Sequence, residues 1–147
     1  MTTLLAFLLA IALLVVIHEL GHYWVARLCG VKVLRFSVGF GMPIWSRRFG
    51  RGETEWLISA VPIGGYVKML DEREGDVAPH ELDRAFNRKS VWQRIAIVSA
   101  GPAANLILAI LLYWLLFMQG VPGLKPVLGE VLAQSPAATA QMGMQET

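Results

Sequence analysis

Charge is scarce in this chain of 147 residues: 16% are Asp, Glu, Lys or Arg, against about 25% in an ordinary soluble domain, while 55% are hydrophobic. That balance argues against a soluble globule. Cysteine is nearly absent, and Cys29 alone can close no internal disulfide and build no structural zinc ribbon, so it reads as a small buried hydrophobe. No block of one sign dominates either. The 13 Lys and Arg against 11 Asp and Glu leave a net charge of +2, and no basic stripe interleaves with aromatics, which excludes a nucleic-acid surface. Internal repeats and low-complexity tracts are missing as well.

What the chain does have is two long apolar blocks. From Leu4 to Ile17 every residue is apolar, and the segment extends to Ala26 if His18, Glu19 and His22 lie inside it. At about 1.5 Å per residue such a helix reaches roughly 34 Å, enough to span a hydrocarbon core of about 30 Å. No basic residue precedes the run and no small-residue cleavage site follows it, so the segment reads as a retained helix rather than a signal peptide. The second block, Ile95 to Met118, contains no charge at all. The expected fold class is a mainly α membrane protein of two transmembrane helices, with a membrane-associated β-sheet in the loop between them and the lipid bilayer covering much of the apolar surface.

Four segments follow: 1–26, the first transmembrane helix; 27–94, a loop; 95–119, the second transmembrane helix; and 120–147, a linker opening into a further domain from Gly129. Twelve of the thirteen basic residues fall between Arg27 and Arg94, the exception being Lys125. By the positive-inside rule this loop is cytoplasmic and both ends of the chain lie across the membrane. Within the loop, Val31 to Phe40 partly alternates apolar and polar until Gly39, Gly41 and Pro43 break it, Thr54 to Ala60 reads as a second strand, and Pro62 to Met69 adds a glycine turn and a third short one. Asp71 to Asp83 is polar and loop-like, and Glu81 to Arg88 reads as a short surface helix. Ser90-Val-Trp-Gln93 matches a capping box and marks the approach to the second helix.

The chemistry-bearing stretch is His18-Glu-Leu-Gly-His22. Residues four apart on an α-helix are about 6 Å apart along the axis and some 40° apart around it, so both imidazoles face one point. Two neutral histidines can hold one zinc ion while Glu19, beside the first ligand, takes a proton from a zinc-bound water whose pKa falls from about 15.7 to about 7. A peptide bond is the natural substrate. At ordinary residue usage the pattern arises by accident in well under about one in a hundred chains of this length. Its placement adds weight, because a carboxylate near a bilayer centre costs on the order of 3 kcal/mol and usually serves an ion or a substrate path. His18 stands nine residues before Arg27, roughly 13 Å inside the helix end. A third ligand is needed, and Asp71, Asp76 and His80 have nothing to bring them to that depth.

Together these residues resemble the site-2 protease family of intramembrane zinc metalloproteases. The likeness rests on His18 to His22, Arg35-Phe-Ser-Val-Gly-Phe-Gly41, Pro62-Ile-Gly-Gly-Tyr-Val-Lys-Met-Leu-Asp-Glu72, Phe86-Asn-Arg-Lys-Ser-Val-Trp-Gln-Arg94 and Ala100-Gly-Pro-Ala-Ala-Asn105. It implies Zn2+ as cofactor, His18 and His22 as metal ligands, Glu19 as the catalytic base, and Asn105, Gly39 and Gly41 as substrate-binding residues. It implies a substrate that is itself a transmembrane protein, of the anti-sigma factor type, and an inner-membrane location. The family's third ligand is an aspartate in an Asn-x-x-Pro-x-Pro-x-Leu-Asp-Gly pattern that this sequence lacks, and Gly129 to Ala138 resembles the opening of a PDZ domain. The 147 residues are thus expected to be the N-terminal part of a longer protease and inactive alone. For Asn105 the residues equally allow a helix-packing role, since Ala96, Ala100 and Ala104 form a small-residue stripe beside it. The loop sheet could capture an unwound substrate at its edge or could only pack the loop. A prenyl-protein type of membrane zinc protease shares the His-Glu-x-x-His pattern but not the glycine motifs, and a metal transporter or sensor should carry further ionisable groups in the second helix.

Overall fold

The computed structural model describes residues 1–49 and 54–120. The chain divides into two compact units, Met1–Leu115 and Leu116–Thr147. Of the second, the described residues are the end of the second long helix, closed by a 3.1 Å bond from the Gly120 N–H to the Phe117 carbonyl. The PDZ-like segment from Gly129 lies outside the described residues.

Helix α1 (Thr2–Leu28) has Gly21 as its single helix-weakening residue and no proline. It stops at Gly30, whose φ of 71° is open to glycine, while the Val31 N–H reaches the Ala26 carbonyl (2.9 Å) and the Gly30 N–H that of Arg27 (3.0 Å). These two bonds form a Schellman motif, and its usual apolar contact is present because Val31 and Ala26 belong to one buried cluster with Val33 and Ile97. Tyr23, Val67, Met69 and Phe86 pack around that cluster, as does the half-buried Cys29. The core therefore sits where the end of α1, the roots of the sheet and the start of the second helix meet.

Strands β1 (Val33–Phe49) and β2 (Thr54–Met69) form one sheet, and each folds back on itself. Arg35 to Val38 lie opposite Lys68 to Gly65 on one side and opposite Glu55 to Ile58 on the other, while Pro43 to Phe49 run against Ser59 to Thr54. Pairing is antiparallel except between 35–38 and 55–58, where the partners rise together. The first half of β1 is thus flanked by both halves of β2, leaving 43–49 and 65–69 at the edges. Tyr23 of α1 lies edge-on to Phe36 (5.8 Å) and Trp56 (5.1 Å), which fixes the sheet against the helix.

Three sequence expectations are corrected here. Gly39, Gly41 and Pro43 bend β1 without ending it, because φ of 89° and 87° at the glycines turns the chain while the ladder resumes at Pro43. For the same reason the second and third expected strands are one element, with Gly64 (φ 87°) at its bend. The helix expected over Glu81 to Arg88 is a pair of 3₁₀ turns, η1 (Pro79–Arg84) and η2 (Phe86–Arg88), because the fully buried Ala85 between them is extended.

Glu72 ties this loop down. Its carboxylate accepts from Arg88 Nε and Nη2 (2.8 and 2.9 Å) and the Asn87 amide (2.6 Å), and those donors hold its pKa down at about 2. Helix α2 (Val91–Met118) follows at once, opened by the capping box: the Gln93 N–H donates to Ser90 Oγ (3.3 Å) and the Ser90 N–H to Gln93 Oε1 (3.1 Å). It stays continuous through Pro102. Both helices are long and apolar enough to cross a membrane.

Candidate metal and catalytic centre

The i, i+4 spacing on α1 brings the Nε2 atoms of His18 and His22 to 3.3 Å, with the rings edge-on at 4.9 Å. Helix α2 presents a matching stripe, Ile97, Gly101 and Asn105, also at i, i+4, i+8. At its ends this stripe holds the backs of the two rings. The His22 Nδ1–H donates to the Ile97 carbonyl (2.7 Å), and His18 Nδ1 lies 3.4 Å from the Asn105 amide nitrogen. At its middle it comes closest to the rings. A Cβ on Gly101 would press into His22 Nε2 and stand 2.7 Å from His18 Nε2. Glycine inside a helix costs about 1 kcal/mol relative to alanine, and this cradle is a reason for it.

The helices approach this closely because Gly21 faces Ala100. A Cβ there would collide with the Ala100 carbonyl and stand 2.9 Å from the Ala104 Cβ. Ala100 and Ala104 of the small-residue stripe therefore pack against α1, whereas Ala96 stays exposed.

Glu19 turns away from the histidine face toward the sheet. A Cβ on Gly65 would stand 2.9 Å from Glu19 Cγ and 2.7 Å from the Ser37 carbonyl oxygen, so only a bare backbone fits between β1 and the acid. Two cavities flank this point. One, of about 250 Å³, is bounded by His18, Glu19, Phe40, Gly64, Gly65 and Asn105 among others; the second, of about 350 Å³, runs past Glu19, His22, Gly65, Tyr66, Phe86 and Ile97. The edge 65–69 borders this cleft, and no further strand pairs with it among the described residues.

A zinc ion bound by two imidazole nitrogens at about 2.0–2.1 Å in tetrahedral geometry sets them roughly 3.3–3.4 Å apart. The histidines stand at that separation. With Nδ1–H of His22 committed to a carbonyl, its Nε2 is left with a lone pair for a ligand, and Gly101, lacking a Cβ, lets both Nε2 atoms pack against its backbone at that separation, so the donor set fits the metal. Among the described residues no group of three His, Cys, Asp or Glu is arranged to hold a metal ion. Asp71, for instance, is engaged by Arg73 at 2.6 Å.

The structure brings His18, Glu19, His22 and Asn105 together. Gly39 and Gly41 instead shape the bend of β1, where a Cβ on Gly39 would meet the carbonyl oxygens of Val61 (2.6 Å) and Ser59 (3.1 Å); it is Phe40 between them that lines the cavity beside His18. Sequence reasoning did not single out Ile97, Gly101, Gly65 or Phe40. For the glycines a signal was available, since a glycine inside an apolar helix or strand calls for a close-packed neighbour. For Ile97 there was none, because it acts through its backbone.

Comparison with known proteins adds a second line of support. A model described as peptidase family M50 matches residues 6–146. The chain is 56% identical over 139 residues to the regulator of sigma-E protease RseP of Salmonella typhimurium (strain 14028s / SGSC 2262), and 55% identical over 139 residues to that of Escherichia coli (strain K12), covering 95% of this chain and 31% of each relative. It is 66% identical over 113 residues to a protein of Xylella fastidiosa (strain Temecula1 / ATCC 700964) whose name proposes a zinc metalloprotease, covering 77% of this chain and 25% of that relative. The chain thus spans about a third or less of the length of these curated relatives.

Proposed function

Because the chain belongs to peptidase family M50, we propose that it is the N-terminal part of a zinc endopeptidase that cuts single-span membrane proteins, of the anti-sigma factor type, within the bilayer of the inner membrane. The observation that carries this reading is the pair of imidazole nitrogens 3.3 Å apart, packed against Gly101, with Glu19 one position away on a cleft. Bound zinc would supply Lewis acidity, polarising the scissile carbonyl and lowering the pKa of a water there. Glu19 takes one proton from the attacking water and delivers it to the leaving amine as the C–N bond breaks, while the water oxygen joins the carbonyl carbon. His18 and His22 hold the metal, and the Ile97 carbonyl keeps His22 in the tautomer that can do so.

The sheet gives the substrate a place. A helical substrate has its carbonyls locked in i to i−4 bonds, so it must unwind, and an unpaired strand edge accepts an extended chain by main-chain bonds worth roughly 0.5–1.5 kcal/mol each. The edge 65–69 beside Glu19 suits that role. The tip of the sheet suits the bilayer, because Met42, Ile44 and Ile63 are 79%, 73% and 67% exposed as an apolar cluster that water would not favour. With twelve basic residues in the loop, residues 27–94 are cytoplasmic and both ends of the chain periplasmic. Gly39 and Gly41 serve the substrate indirectly, by bending β1 so that Phe40 reaches the cleft, and the region from Gly129 opens a PDZ domain.

The test is cleavage of a single-span substrate by the full-length protein in liposomes. Glu19→Gln should retain zinc and lose about 10²–10⁴-fold in rate. Undiminished cleavage would remove Glu19 as the base, and cleavage that survives His18→Ala would remove the metal site.

A further inference from the structure

The two histidines are held unequally. His22 has a carbonyl behind it at 2.7 Å, an acceptor that only an Nδ1–H can satisfy. His18 has the carboxamide of Asn105, placed with its nitrogen 3.4 Å from Nδ1, while the Asn105 oxygen is buried and has no hydrogen-bond partner among the described residues. As placed, the atoms form one consistent chain without a metal: the Asn105 amide donates to His18 Nδ1, His18 Nε2–H donates to His22 Nε2, and His22 Nδ1–H donates to Ile97. In that chain His18 spends its Nε2 on a proton and leaves the amide oxygen orphaned, which costs about 1–3 kcal/mol.

We propose that Asn105 is the positioning residue that sets the tautomer of His18: a half-turn of its carboxamide presents Oδ1 to a His18 Nδ1–H, which frees the His18 Nε2 lone pair for the metal. This inference rests on the zinc site proposed above. The half-turn exchanges two atoms of the same size in the same place, gives the buried oxygen a donor while moving the amide N–H groups to the position the oxygen leaves, and gives His18 what the Ile97 carbonyl gives His22. The two rings then point two lone pairs at one space from 3.3 Å apart, an arrangement that repels itself unless a cation lies between. Asn105 thus couples the orientation of one amide to the loading of the site. Such partners behind a ligating histidine are typically worth 10–100-fold in metal affinity. A residue that only contacts substrate would leave that affinity alone.

The experiment measures zinc affinity of the full-length protein in detergent by competition with a chromogenic chelator, alongside the melting temperature of each metal-free variant. Asn105→Leu, which keeps the bulk and removes the acceptor, should weaken zinc 10–100-fold, and Asn105→Asp, which keeps an acceptor in either orientation, should bind at least as tightly as the parent. If Asn105→Leu does not fold, Asn105→Ala provides the same comparison. An acceptor-lacking variant that binds zinc like the parent overturns the proposal, even if it cleaves poorly, and so does an Asp variant as weak as the Leu one. If the parent itself binds no zinc, or binds it equally after His18→Ala, the metal site is refuted and this inference with it.

Discussion

The helix pair around His18 and the tip of the sheet are both apolar surroundings, yet they are built to opposite specifications. Where α1 meets α2 and β2, small residues bring backbones together until single atoms are fixed, and a methyl group on Gly21, Gly65 or Gly101 has nowhere to go. At the tip Met42, Ile44 and Ile63 are large, apolar and exposed, and packing among the described residues tests little of their shape. One region has volume as its constraint and the other has polarity. A catalytic centre needs the first, since a misplacement of about 1 Å can cost 10²-fold in rate. A membrane-facing surface needs only the second.

This contrast can be broken at four places, from the largest expected effect to the smallest. Gly101→Ala inserts one methyl against both ligand nitrogens, and we expect zinc to be lost and cleavage to fall by more than the 10²–10⁴-fold of a missing base; metal analysis of the purified variant checks it. A Gly101→Ala protein with full zinc would show that close packing against Gly101 does not set the ligand positions. Gly65→Val drives β2 away from Glu19 and should lower cleavage about 10²-fold with zinc retained, since it moves the edge and not the ligands. At the tip the dependence should invert. Ile44→Val should be neutral, whereas Ile44→Asp should withdraw the tip from lipid, read as loss of Trp45 quenching by brominated phospholipids with Trp45→Phe as the blank; the cost is at most about 3 kcal/mol and falls toward the interface. Smallest is the effect of acid on Glu72. Its folded pKa of about 2 lies below the ordinary value of 4.5, so the stabilisation is full above pH 4.5 and is lost as pH falls through about 2. Glu72→Gln should flatten the unfolding curve only in that window.

The same contrast explains which parts of the molecule were legible in the sequence. The apolar runs, the i, i+4 histidines and the Ser90-Gln93 box are periodic or local signals, and the helices and the imidazole pair follow from them directly. The bends at Gly39, Gly41 and Gly64 were read as ends because a glycine with positive φ looks the same in sequence whether it stops a strand or redirects it. The extended Ala85 that splits the expected loop helix reflects tertiary burial, which overrides local preference. The partner of His22 was out of reach, being a backbone carbonyl 75 residues away. Asn105 was visible as a polar group in a charge-free span, but its place behind His18 depends on how α1 and α2 cross.

The central claim, that His18 and His22, packed against Gly101, hold a zinc ion, is tested most directly by X-ray absorption at the zinc edge on the full-length protein. A nitrogen and oxygen shell at about 2.0–2.1 Å with the outer-shell scattering of two imidazoles is expected, and that imidazole signal should be halved or lost in His18→Ala and in His22→Ala. Zinc whose histidine scattering is unchanged in both variants would contradict it.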